Sequence, residues 1–315
     1  MLVLKTMKTI SLVIPFYNEG DVVFDFFAKL LPIVNEFKQY SFEFVCVDDG
    51  SSDDTFVNLS KVNDQRLKII QLSRNFHKEA ALTAGIDFAL GDAIIPIDAD
   101  LQDPPELIAV MLKKWEEGFE VVLAKRKSRL TDTWLKRNSA KWFYKMHNYL
   151  ADFAIPNDVG DFRLMDRVVV DALKKLSERQ RFMKGLFAWV GFRNTVIEYD
   201  RLERISGKTK WKGWQLWNLA LDGITSFSTL PLRIWSYLGV LFALIAFIYG
   251  GWIMLRTLIW GVDLPGYASL FTAILFIGGI QMIGIGVIGE YLGRAYQETK
   301  QRPIYVVRKI VNNLH

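Results

Sequence analysis

Asp98 and Asp100 stand one residue apart at the end of an apolar run, and with Gln102 they offer hard oxygen donors of the kind that hold Mg²⁺ or Mn²⁺. A cation there would bridge the phosphates of a nucleotide and neutralise charge on a departing diphosphate. An Asp-x-Asp pair also arises in helix caps and turns, so its weight comes from its position at a strand end. A second acidic run, Asp48-Asp49-Gly50-Ser51-Ser52-Asp53, follows another apolar stretch. Its carboxylates suit hydrogen bonds from a base and a ribose; equally, Asp53 or Ser52 caps the next helix and Gly50 supplies a turn. A third feature is Gly160-Asp161-Phe162-Arg163-Leu164, preceded by Asp158. An isolated Asp of this kind is a cap or an Arg partner as readily as a base. His77, His147 and His315 are too scattered for a histidine metal site, and Cys46 inside an apolar run reads as a small core residue.

The basic residues cluster as well. Lys125 to Lys145 holds eight basic residues and one acidic, among them Arg126, Arg129 and Arg137, interleaved with Trp134, Leu135, Trp142 and Phe143. A nucleic-acid surface would also use Lys and Arg, but Trp and Leu at helical spacing beside them describe an interfacial helix on anionic lipid, over about residues 131–151. Arg204, Lys208, Lys210 and Lys212 form a similar group beside Trp211, Trp214 and Trp217. Trp in such a place marks the membrane interface. The two groups together would draw a phosphate from the bilayer surface towards the carboxylates.

The elements that must position these residues are strands alternating with helices. Strands are expected at 10–15, 43–48, 67–73, 93–98 and 121–124, and helices at 21–37, 53–63, 78–90 and 105–117. That alternation implies an α/β fold, a mostly parallel sheet with helices on both faces. Ligands of such sheets bind beyond the carboxyl ends of the strands, where the acidic motifs fall.

The chain has 315 residues, 51% apolar, with 39 Lys+Arg, 34 Asp+Glu and a single cysteine. Those values exclude a disordered chain, an internal disulfide and a cysteine-based zinc site. The apolar excess is local: segments 234–255 and 267–289 contain no Asp, Glu, Lys or Arg, and each is long enough to cross a bilayer. Basic residues outnumber acidic six to two in 201–233 and five to two in 290–315, which puts both flanks in the cytoplasm and the short 256–266 loop outside. No signal peptide is expected before the first strand. The expected organisation is a catalytic domain over 1–200, a juxtamembrane amphipathic segment over 201–233, a two-helix hairpin over 234–289 and a cytoplasmic tail over 290–315. Gly289 and Gly293 have the small-xxx-small spacing of close helix packing, within the hairpin or between subunits.

Several ordered motifs give the chain a specific resemblance. They are Pro15-Phe16-Tyr17-Asn18-Glu19, Val47 with the acidic run to Asp53, Arg74-Asn75-Phe76-His77-Lys78-Glu79, Asp98 through Glu106, Asp161-Phe162-Arg163-Leu164, Arg204-x-x-Gly207-x-Thr209-Lys210 and Gly289-Glu290-Tyr291-Leu292-Gly293-Arg294. Over nearly its whole length the chain resembles the polyprenyl-phosphate glycosyltransferases of glycosyltransferase family 2, the group of dolichol-phosphate mannose synthase and the bacterial bactoprenol glucosyltransferases. His77 departs from the Gly usual in its loop.

The resemblance implies a GT-A type fold followed by interfacial helices and a transmembrane hairpin. It implies inverting transfer of a hexose, glucose from UDP-glucose by preference of the bacterial branch, to undecaprenyl (bactoprenol) phosphate. The product would be a lipid-linked sugar donor for later glycosylation such as O-antigen modification. By position, Pro15, Tyr17, Glu19, Asp48 and Asp49 would hold the nucleoside, and Asp98, Asp100 and Gln102 the Mg²⁺ or Mn²⁺. Arg126 and Lys210, with Arg129 and Arg137, would bind the lipid phosphate, and Asp161 or Asp158 would stand at the reacting atoms with Asp100. Location in the bacterial inner membrane with both termini cytoplasmic, and assembly as a homotetramer, follow from the same resemblance. The alternatives are a polyprenyl-phosphate mannose or amino-sugar synthase, a non-catalytic membrane-anchored nucleotide-sugar binder and a processive polysaccharide synthase. The last is disfavoured by the short hairpin and by the lack of a Gln-x-x-Arg-Trp element.

Overall fold

The apolar runs of the first hundred residues pair side by side. A computed structural model describes residues 7–127, 159–179, 181–200, 230–261 and 266–312. In it, β1 (Lys8–Phe16) lies between β2 (Tyr40–Asp48) and β4 (Ala93–Pro96), with β3 (Leu67–Leu72) outside β2, all running parallel. Central strands covered on both faces need apolar residues on both, which is why these read as continuous apolar runs. Ile10, Leu12 and Ile14 pack on one side with Phe26 and Leu30 of α1 (Val23–Asn35), Leu59 of α2 (Thr55–Lys61) and Met111 of α4 (Leu107–Glu116). Val13, Val45 and Ile70 pack on the other with Leu82 and Ile86 of α3 (Lys78–Phe88). Each such buried side chain contributes about 1.5–3 kcal/mol. Helix α3 lies so close to the sheet that a Cβ on Gly85 would fall 2.2 Å from Val13 Cγ1.

The second half of the sheet is mixed. β5 (Val121–Arg126) is separated from β4 by β6 (Val159–Asp166), antiparallel to both, and β7 (Asn194–Tyr199) adds in parallel outside β5. Because β6 runs against its neighbours, its first residues reach the edge where β4 and β5 end. Helices α5 (Arg167–Lys174), capped by Asp166 Oδ1 accepting from Val168 N at 3.0 Å, and α6 (Met183–Trp189) close the second face.

Two long apolar helices follow, α7 (Leu230–Trp260) and α8 (Tyr267–Thr299). Then the chain returns to the sheet. β8 (Val307–Asn312) pairs antiparallel with β3, giving the order β7-β5-β6-β4-β1-β2-β3-β8. Three hydrogen bonds fasten this return: Ser73 N donates to Val306 O (2.8 Å), Tyr305 Oη to Asp87 Oδ2 (2.9 Å) and Arg179 N to Glu298 Oε1 (2.8 Å). The segment expected as a tail therefore contributes an edge strand. The expected interfacial helix at 131–151 and the juxtamembrane stretch 201–229 lie outside the described residues.

Candidate active site

The carboxyl ends of β1, β2 and β4 and the start of β6 lie at one edge of the sheet, and the loops there are tied to one another. Asn18 N donates to Ser51 Oγ (3.0 Å), Ser52 N to Asn18 Oδ1 (2.9 Å), Glu19 N to Thr55 Oγ1 (2.9 Å) and Gly20 N to Asp53 Oδ2 (3.0 Å). Gly50 takes the turn at φ 63°, with no room for a side chain: a Cβ would lie 2.3 Å from the Arg74 carbonyl carbon.

The nucleoside residues expected from the sequence gather at this edge, in two different environments. Tyr17 is exposed and Pro15 and Glu19 are partly exposed, open to a ligand. Asp48 and Asp49 are buried and already bonded. Asp48 accepts from Ser51 N (3.0 Å) and Gln71 Nε2 (3.2 Å), and Asp49 accepts from Phe76 N (2.7 Å). Burial pushes the Asp49 carboxyl up from its usual value, against the hydrogen bond from Phe76. These two residues shape the loops that any base would rest on. His77, where the family pattern has Gly, adopts φ 71° and ψ 163°, a conformation that glycine takes far more readily; Asn75 Oδ1 accepts from its N–H at 2.8 Å.

At the centre is Lys78, the first residue of α3. Its Nζ lies 2.7 Å from Asp98 Oδ1, 2.8 Å from Asp98 Oδ2 and 2.8 Å from Asp161 Oδ2. The lysine side chain is 43% exposed and Asp161 16%, so the stem borders solvent while the ammonium turns inward. Desolvation opposes the charge on Lys78, yet Asp161 and then Asp98 outweigh it and hold its pKa well above the usual lysine value. Burial likewise opposes the charge on Asp161, but Lys78, then Lys184, hold its carboxyl well below the usual range. Beside it, burial and then the charge of Asp161 push Glu79 up to about 7, with Glu79 Oε2 accepting from Met183 N at 3.2 Å. Arg163 lies under this group, its Nη2 donating to Gly160 O (2.7 Å) and its guanidinium 4.1 Å from the Phe187 ring centroid; burial pushes its pKa down to about 10.

At the same edge of the sheet, Arg126 ends β5 and Tyr199 ends β7, and the two are register partners. Tyr199 Oη donates to the buried Asp103, and Arg126 bonds to Tyr199. Among the described residues, three buried polar atoms here have no hydrogen-bond partner: Arg126 Nε and Arg163 Nε, both donors, and Asp161 Oδ1, an acceptor. Native proteins rarely leave such atoms unmatched away from sites where something binds.

The proposed metal ligands fit a hard divalent cation by donor chemistry. Asp100 and Gln102 are partly exposed on a turn in which Leu101 takes φ 55° and Gln102 N donates to Asp100 Oδ1 at 3.1 Å. Asp98, however, gives both oxygens to Lys78. No cluster of three His, Cys, Asp or Glu side chains placed for a metal occurs among the described residues. Asp158, Arg129, Arg137 and Lys210 lie outside the described residues.

Sequence reasoning missed Lys78, Glu79, Arg163, Asp103 and Tyr199 as members of the site. Lys78 and Glu79 stood in a motif that suggested no chemistry alone, and Arg163 was signalled only by its i, i+2 relation to Asp161, which puts both on one face of a strand. Tyr199 had no local signal.

Residues 11–174 match the model described as "Glycosyl transferase family 2", and residues 230–295 match "GtrB C-terminal hairpin". A prophage bactoprenol glucosyl transferase homolog of Escherichia coli is 53% identical over 303 residues, covering 96% of this chain and 99% of that protein. The bactoprenol glucosyl transferase of Shigella phage SfII is 51% identical over 302 residues, covering 95% and 97%. Among solved structures, glucosyl-3-phosphoglycerate synthase of Mycobacterium tuberculosis superposes with a TM-score of 0.47 at 16% identity, over 69% of this chain and 78% of that one.

Proposed function

The chain belongs to glycosyl transferase family 2, and from that premise we propose that it transfers one hexose, glucose from UDP-glucose, to undecaprenyl phosphate at the cytoplasmic face of a bacterial inner membrane. The observation that carries this reading is that a cationic and an anionic side chain at the carboxyl edge of the sheet, Arg126 and Asp161, each keep a buried polar atom unmatched, Nε and Oδ1. A phosphate oxygen satisfies the first and a sugar hydroxyl the second, so the site has one place for an anionic acceptor and one for the group transferred.

The acceptor needs little help to become a nucleophile. A lipid monophosphate has a second pKa of about 6 and is largely a dianion at neutral pH. Asp161, held ionised by Lys78, is correspondingly a poor proton acceptor. Its role in this account is to orient the sugar and to stabilise positive charge developing at the reacting carbon. Arg126, fixed by Tyr199, draws the dianion out of the interface and aims it. Tyr17 and Glu19 line the place of the nucleoside, on loops shaped by Asp48 and Asp49. A divalent cation on Asp98, Asp100 and Gln102 would supply charge neutralisation at the leaving diphosphate.

The membrane placement has independent support. Strand β8 pairs with β3, so the chain that leaves the catalytic domain for α7 comes back to the same side, as two crossings require.

The sugar is chosen by a few pocket contacts, and a sister activity with mannose or an amino sugar would use the same frame. The test is to offer the protein in lipid nanodiscs labelled UDP-glucose, GDP-mannose or UDP-N-acetylglucosamine with undecaprenyl phosphate. Label from UDP-glucose should enter the organic phase. Label from another donor alone would reassign the sugar, and none from any would contradict the reading.

A further inference from the structure

Lys78 has a place that the proposed reaction does not explain. A lysine at the first position of a helix would ordinarily point its flexible stem to solvent. This one reaches two carboxylates from different strands, Asp98 after β4 and Asp161 on β6, with its Nζ within 2.8 Å of both. Its chain neighbours are held: His77 N donates to Asn75 Oδ1, Phe76 N to Asp49 Oδ1, and the Glu79 side chain accepts from Met183 N through Oε2. The ammonium, on four methylenes, keeps the freedom to swing.

Without Lys78, Asp98 would lose the ammonium that contacts both of its oxygens, and Asp161 one of the cations that act on it. Arg163 lies under Asp161, Lys184 acts on Asp161 and Glu79, and Arg126 acts on Asp98 through its charge, but among the described residues only Lys78 makes an ion pair with Asp98. A divalent cation seeking Asp98 therefore meets an ammonium already on both of its oxygens.

We propose that Lys78 is a positioning residue, a resident cation that competes with the divalent metal for Asp98 and keeps the free site weakly metal-binding until nucleotide sugar and metal arrive together. The proposal rests on the assignment of Asp98, Asp100 and Gln102 as the metal site. When the metal-bound donor enters, Asp98 exchanges the ammonium for the metal, and Lys78 retains Asp161. The protein thus avoids a tight metal complex without donor.

The measurement is Mn²⁺ binding to the full-length, donor-free protein in detergent, followed by the electron paramagnetic resonance signal of free Mn²⁺. Lys78→Met should bind Mn²⁺ at least about tenfold more tightly than wild type, since a competing unit charge has been removed at contact distance. Lys78→Arg, which keeps the charge, should stay near wild type, and Asp100→Asn should abolish binding in the Lys78→Met background. Unchanged or weaker affinity in Lys78→Met, with Asp100-dependent binding in wild type, would overturn the competition and leave the metal site standing. Absence of Asp100-dependent binding in both wild type and Lys78→Met would overturn the metal assignment itself. If Lys78→Met does not fold, Lys78→Gln takes its place, and failure of both to fold would make Lys78 a structural strut and end the proposal.

Discussion

Asp161 is a carboxylate that the fold keeps ionised, and this decides what it does. If Lys78 holds its proton affinity low, Asp161→Asn should reduce kcat by about 100-fold through lost transition-state stabilisation, without removing a limb from the pH–rate profile between pH 6.5 and 8. A general base would leave such a limb in wild type and erase it in the variant. Asp100→Asn should be the more damaging change, with no turnover above background, if Asp100 is the metal ligand proposed above. Glu79 carries a second prediction. Its proton is held more tightly in the folded protein, up to about 7, so its contribution to stability is complete below the ordinary glutamate value and is lost as pH rises through about 7. The opposite contribution of Asp161 is lost only below the ordinary aspartate value of 3.8, outside that window. Glu79→Gln should therefore flatten the fall in stability between pH 5 and 8 by about 1–2 kcal/mol in denaturant titrations, and an equally steep fall would contradict the assignment. The acidic residues were legible in the sequence because an apolar strand ending in carboxylates is a local pattern. Lys78 was not, because its partners are 20 residues away on Asp98 and 83 away on Asp161, and only the sheet order brings them together.

At the scale of elements, the first five strands were readable and β6, β7 and β8 were not. β1 to β5 were expected within a few residues, since strands buried on both faces are apolar throughout. β6 opens Val159, Gly160, Asp161, a polar start that resembles a loop, and it is a strand because β4 and β5 leave a gap between them. That insertion is what delivers Asp161 to the carboxyl edge of its neighbours. β8 was hidden for a related reason: an edge strand with Arg308 and Lys309 exposed carries little apolar signal, and charge on an edge also discourages pairing with other chains. Its removal tests its role. Deleting residues 304–315 takes away the β3 ladder and the Tyr305–Asp87 bond, and should destabilise the catalytic domain by about 2–3 kcal/mol, read by denaturant unfolding in detergent. Unchanged stability would mean that the strand is an ornament on the sheet.

At the scale of the whole molecule, the hairpin and the domain are one device. No described residue of α7 or α8 is buried in protein, and side chains such as Phe247 and Leu258 stand open along α7. Apolar faces of that extent belong in lipid. The two helices touch where the Trp235 ring meets Gly284, whose added Cβ would lie 3.3 Å away. From the end of α8, Glu298 reaches Arg179 ahead of α6, and the returning chain closes on β3. The site is thus fastened to the element that lies in the acceptor's own solvent, which suits a reaction between a dissolved donor and a membrane-bound phosphate. The central claim is one inverting transfer, and the most direct measurement is the structure of the product. With UDP-glucose and undecaprenyl phosphate, mass spectrometry and proton NMR of the lipid extract should show one hexose per lipid phosphate in β configuration, formed from the α-linked donor. An α-linked product, a chain of sugars or an unmodified lipid would contradict it.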